Sequence, residues 1–93
     1  MITEVDGIKF HSKKEAQRYL DLKVLRANGD VLWFIRQVPF YLSATEEKYL
    51  ADFLIVWATG AITVEDVKGV RTKDYLRKKK LVLKEYGVDI VET

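Results

Sequence analysis

Cysteine is absent, histidine and proline occur once each, and long apolar runs are missing. Without cysteine there is neither a disulfide framework nor a thiolate zinc site. No stretch approaches the roughly 20 consecutive apolar residues that span a bilayer, and Met1-Ile2-Thr3-Glu4 does not open a signal peptide. A soluble, cytoplasmic protein is the expectation. A strong excess of one charge is missing too. The 16 basic and 14 acidic side chains leave +2 at neutral pH, so net charge alone selects no polyanionic partner. Disorder is excluded by the 48% of hydrophobic residues, among them two Trp, five Tyr and four Phe. A length of 93 residues suits one domain, residues 1–93, small enough to be only marginally stable on its own.

What is present organises into alternating elements. Asp6-Gly7 reads as the two-residue turn of a hairpin between Ile2–Val5 and Ile8–Phe10. Ser12 and Glu15 have capping-box spacing and open a helix that Asn28-Gly29 stops after Ala27. Val31–Ile35 is a strand. Pro39 then leaves Phe40–Leu42 as either a second short strand or an irregular continuation. Strands are expected at 49–57 and 62–68, a helix at 73–86 ending at Gly87, and a short strand at Val88–Val91. The order behind the hairpin is helix, three strands, helix, strand. That order suits an α/β layer with a central sheet flanked by helices.

Two of these strands carry acids where apolar residues belong. Tyr49–Trp57 is apolar on both faces except at Asp52, and Asp66 and Lys68 share the alternation row of Ile62 and Val64. A buried carboxylate costs several kcal/mol unless it is compensated, and a divalent cation is one such compensation. If 49–57 and 62–68 pair as a hairpin, Asp52 and Asp66 converge with the Lys68 ammonium beside them. Carboxylates with water and a substrate phosphate suit Mg²⁺ or Mn²⁺. Such an ion activates water, and a lysine beside it offsets charge on the phosphate. The other reading is a core ion pair, but two acids against one base leave a charge over. Glu65 and Val67 face the opposite side, where Glu65 is expected to be a solvated or interface residue.

Asp52 followed by Asp66-Val67-Lys68 resembles the signature of the PD-(D/E)XK nuclease superfamily, and the expected αβββαβ order is that superfamily's restriction-endonuclease-like core. Val5-Asp6-Gly7-Ile8-Lys9-Phe10, Ser12-Lys13-Lys14-Glu15-Ala16, Gln37-Val38-Pro39, Ala51-Asp52-Phe53 and Val64-Glu65-Asp66-Val67-Lys68-Gly69 further resemble small phage-encoded endonucleases related to Holliday-junction resolvases. Arg36-Gln37-x-Pro39 also looks like the endonuclease subunits of some transposition systems. One departure is Ala51, where the superfamily signature has proline before the first aspartate. The resemblance implies Glu15, Asp52, Asp66 and Lys68 as catalytic residues. It implies Glu15, Asp52, Asp66 and the Val67 backbone carbonyl as ligands for Mg²⁺ or Mn²⁺. Capping remains the other role open to Glu15.

Residues 67–84 hold eight Lys or Arg and one acid, Asp74. On the second helix Tyr75, Leu76, Val82, Leu83 and Tyr86 share an apolar arc that includes Lys79. Lys79 either snorkels or reaches the scissile phosphate. Lys73, Arg77, Lys80 and Lys84 form a separate stripe, either a solvated face or a track for the DNA backbone. Gln37 continues the row of Val31, Trp33 and Ile35 to the sheet end, and is read as a substrate contact or a strand-end amide. His11, before the helix cap, is not expected to act as a base. The leading expectation is a metal-dependent endodeoxyribonuclease acting on branched DNA such as a Holliday junction in phage DNA processing. It would work as a C₂ homodimer, with Trp33 or Trp57 as interface material. The alternatives are a non-catalytic DNA-binding or assembly module with the same fold, and an RNA nuclease.

Overall fold

Asp6 and Gly7 both adopt positive φ, 53° and 76°. This is the conformation of a tight two-residue hairpin turn, and Gly7 meets it without a Cβ clash. The turn joins β1 (Thr3–Val5) to β2 (Ile8–Phe10) in an antiparallel pair. A computed structural model describes residues 2–67 and 70–93 of the chain. The hairpin is fastened to α1 (Lys13–Ala27) by the Tyr19 hydroxyl and the Lys23 ammonium, which both donate to Asp6, and by buried Phe10 against the Tyr19 ring. Ser12 caps α1, its Oγ accepting from the Glu15 N–H at 3.2 Å. The helix ends in a Schellman arrangement. Gly29 at φ 86° lets its own N–H reach the Arg26 carbonyl and the Asp30 N–H reach that of Leu25.

The remaining strands are β3 (Val31–Leu42), β4 (Glu47–Trp57), β5 (Ile62–Asp66) and β6 (Val91–Glu92), with α2 (Lys73–Tyr86) between the last two. They form one sheet in the order β3-β4-β5-β6, antiparallel except for the parallel β5/β6 pair. The αβββαβ order expected from sequence is present. Phe40–Leu42 is a continuation of β3, not a separate strand. Pro39 is tolerated because β3 is an edge strand, where a missing N–H need not break a ladder. The last strand is shorter and later than the expected Val88–Val91. Neither helix, among the described residues, is long and apolar enough to cross a membrane.

The core divides in two. Tyr49 and Ala51 of β4 join Phe40, Leu42, Val64, Tyr75, Val82 and Ile90. Phe53 and Ile55, next in the same alternation row, join Leu22 and Val31 instead. The row therefore passes from the α2 cluster to the α1 cluster between Ala51 and Phe53, at Asp52. On α2 the apolar arc is only partly covered, since Leu83 and Tyr86 are about half exposed.

Candidate functional site

Strand register aligns the polar residues of the sheet. Arg36 faces Phe53 and Val38 faces Ala51, which sets Gln37 opposite Asp52. Phe53 faces Glu65, so Asp52 lies opposite Asp66, and Asp66 faces Glu92. One line of side chains, Gln37, Asp52, Asp66 and Glu92, thus crosses all four strands. Residues opposite one another in register share a side of the sheet.

At this line carboxylates take over the role of backbone carbonyls. Asp66 Oδ1 accepts the Asp52 N–H at 3.0 Å, and Asp52 Oδ2 accepts the Val67 N–H at 2.8 Å. Each acid thereby binds the main chain of the other's strand. These charge-assisted bonds offset burial of Asp66, which is fully enclosed, and of half-buried Asp52. Gln37 adopts φ 52° within β3, a left-handed conformation costly for a residue with a Cβ. Its Nε2 lies 3.4 Å from both Asp52 Oδ1 and Glu15 Oε2. The amide thus joins the helix acid to the sheet acids through two long contacts.

Glu15 is the third residue of α1. Its N–H completes the cap, while its carboxylate turns to the sheet, where Arg36 Nη2 approaches at 3.4 Å. The capping role is Ser12's, and the Glu15 carboxylate points to Arg36 and Gln37, not back to the Ser12 amide. Burial raises the Glu15 carboxyl above its ordinary range. The nearby Asp52 charge adds to this, and Arg36 and Gln37 only partly oppose it. Arg36 itself lies over the Phe10 ring at 4.5 Å, which links the N-terminal hairpin to the site.

The structure brings Glu15, Gln37, Asp52 and Asp66 together. Lys68 falls outside the described residues. Val67 contributes its N–H to Asp52 and packs its side chain on the α1 cluster. Lys79 is half-buried with Nζ 3.8 Å from Glu92. Lys73, Lys80 and Lys84 are exposed on α2, but Arg77 between them is engaged by Glu47 at 2.9 Å and Asp74 at 2.7 Å. Among the described residues no three His, Cys, Asp or Glu side chains gather closely enough to hold one ion.

Several expectations need correction. Glu65 is neither solvated nor at a surface. It is 3% exposed and takes a bidentate pair from Arg18 at 2.7 and 2.8 Å, because its row faces α1. Gln37 is mid-strand, not at a sheet end, since β3 runs on to Leu42. Trp57 is half-buried, not exposed. It packs on the α1 cluster, and its indole N–H donates to Thr63 Oγ1 at 2.8 Å. Trp33, by contrast, is 48% exposed.

Sequence reasoning gave no site role to Arg36, Arg18, Arg71 or Glu92. Arg36 had a local signal, because it interrupts an apolar strand much as Asp52 does. Glu92 had none, since its place beside Asp66 depends on a parallel pairing across α2. Comparison with family models matches residues 2–90 to DUF1064, described as a protein of unknown function. The chain belongs to the DUF1064 family. Comparison of this DUF1064 chain with curated proteins and with solved structures finds no match.

Proposed function

We propose that this DUF1064 chain is a metal-dependent DNA endonuclease with a restriction-endonuclease-like core. The observation that carries the reading is the Asp52/Asp66 pair, set opposite one another where the β4/β5 ladder ends, with Glu15 joined to it through Gln37. The αβββαβ order and the resemblance to resolvase-like phage endonucleases support it.

The donor set fits a hard cation. All three acids offer oxygen, and Mg²⁺ is commonly held by one or two carboxylates, with waters and substrate phosphates completing the shell. Asp52 and Asp66 would hold Mg²⁺ or Mn²⁺, with the Val67 carbonyl and Glu15 alongside. When bound, such an ion would activate a water and offset charge developing on the phosphate.

The chain's own groups do the positioning. The Asp52 and Val67 N–H groups fix one oxygen of each carboxylate and so orient both acids before substrate arrives. The Gln37 amide spaces Glu15 from Asp52. Lys68 is the residue proposed to stabilise charge on the attacked phosphate. Lys79 and the exposed Lys73, Lys80 and Lys84 would contact the DNA backbone, which favours recognition of shape over sequence. Arg77 would join them only by leaving Glu47 and Asp74. Branched DNA, such as a four-way junction in phage DNA processing, is the proposed substrate. One domain supplies one such site, so paired cuts need a C₂ homodimer, and exposed Trp33 is offered as part of its interface. A monomer in sedimentation, with and without junction DNA, would refute that assembly.

The test incubates purified protein with supercoiled plasmid and a synthetic four-way junction in Mg²⁺, Mn²⁺ or EDTA. Cleavage should need the divalent ion and fall about a hundredfold or more in Asp66→Asn, with DNA binding retained. Binding with no cutting under any condition would favour the non-catalytic module, and cutting of RNA alone would favour an RNA nuclease.

A further inference from the structure

Beyond the acids, the line across the sheet ends on β6 at Glu92, and two cations, Arg71 just ahead of α2 and Lys79 in its middle, close on that carboxylate. Arg71 Nε lies 3.1 and 3.2 Å from its two oxygens, and Lys79 Nζ lies 3.8 Å from Oε2. The Tyr75 hydroxyl, then Lys79 and Arg71, hold the Glu92 carboxyl below its usual range. Two cations and a phenol are more than one carboxylate needs. The chain's own glutamate sits between the two cations. It lies next to Asp66 across the β5/β6 pair, one strand spacing or about 4.8 Å away.

Resting on the nuclease reading, we infer that Arg71, Lys79 and Tyr75 form a subsite for a DNA backbone phosphate beside the one that is cut, and that Glu92 is a placeholder which the phosphate displaces. The Arg71 arm of the cluster is the weak one, because ion pairs of an exposed side chain contribute little. Arg71 is more than half exposed and swings freely once released. The placeholder keeps the cations at the β6 end of the acid line. No bond is made or broken in this exchange. One carboxylate leaves two cations, and one phosphate takes them.

The test is fluorescence anisotropy of a labelled four-way junction in EDTA, so that binding is read without cleavage. Glu92→Gln should tighten binding about two- to fivefold. In an Arg71→Gln/Lys79→Gln background, which itself binds more weakly, the same change should give no gain. A gain that persists there would mean that Glu92 acts only through bulk charge, and the inference would be overturned. So would unchanged binding by Glu92→Gln with its circular dichroism and melting intact. Should Glu92→Gln melt early, Glu92→Ala and Arg71→Gln alone supply the same comparison. Failure of every form of the protein to bind DNA would overturn the nuclease reading along with this one. Binding by the unaltered chain that ignores Glu92 overturns this inference alone.

Discussion

Replacing Gln37 should reverse the usual ranking of glycine and alanine in a strand. Gln37 holds φ at 52° in the interior of β3. A side chain with a Cβ pays about 1–2 kcal/mol for that conformation, and Ala pays it as fully as Gln. Glycine avoids the strain but loses roughly 0.5–1 kcal/mol through the greater freedom of its unfolded chain. The difference leaves Gln37→Gly more stable than Gln37→Ala by about 0.5–1 kcal/mol. At Ile35, exposed in the same strand without positive φ, the order should be the ordinary one, with Ala ahead by about the same amount. For a domain of this length, 1 kcal/mol moves Tm by about 4–8 °C. Gln37→Gly should therefore melt about 2–8 °C above Gln37→Ala in thermal denaturation followed by circular dichroism. Both variants lose the amide that spaces Glu15 from Asp52, so both should cut DNA about tenfold or more slowly, regardless of stability. An alanine variant as stable as the glycine one would show that the backbone at 37 is not held left-handed, and the account of the site would lose its fixed point.

Three further outcomes test other parts of the account. Arg18→Met leaves the Glu65 carboxylate buried without its guanidinium and should cost about 3 kcal/mol in urea unfolding, whereas Arg18→Met/Glu65→Leu should recover most of it. A single variant within 1 kcal/mol of the parent would refute that pairing. Arg77, then Thr45, lower the Glu47 carboxyl from 4.5 to about 2. The folded value lies below the unfolded one, so the stabilisation is complete above pH 4.5 and lost as pH falls toward 2. Glu47→Gln should be less stable than the parent at pH 7 and match it near pH 2; a gap that stays constant with pH would contradict this. Mn²⁺ at about a hundred times its Kd should stabilise the chain by about 2.7 kcal/mol in a melting assay without DNA. Asp52→Asn should lose most of that shift, and an equal shift in both would place the ion elsewhere.

What could be read in advance was local. The period-2 rows of β4 and β5 fixed the alignment of Asp52 with Asp66, since a hairpin of known loop length has little choice of register. Ser12 marks the start of α1 and accepts the bond expected of it, whereas Thr72, which caps α2 in the same way, reads only as loop from the sequence. What stayed hidden was non-local or against propensity. Nothing in Arg36-Gln37-Val38 announces a left-handed residue, because glutamine is not a type that favours one. Glu65 looks like an outward acid until α1 supplies Arg18 from 47 positions away. Trp57 near a turn looks exposed until Thr63 of the paired strand takes its indole N–H.

The same distortion that was illegible explains why the acids survive where they are. A regular ladder through Asp52 would satisfy its N–H with a carbonyl and leave both carboxylates buried without donors. Because the inward row passes from one core cluster to the other at Asp52, the strands part there, and the freed Asp52 and Val67 N–H groups become donors to carboxylates. Main-chain donors cannot neutralise the charge as a cation does; they only lower the cost of holding it. The fold thus keeps the two acids aligned by main-chain donors alone. Gln37, strained and opposite Asp52, sits at the crossing on the neighbouring strand. The irregularity in β3 and the acids in β4 and β5 are therefore one feature of the sheet, not three.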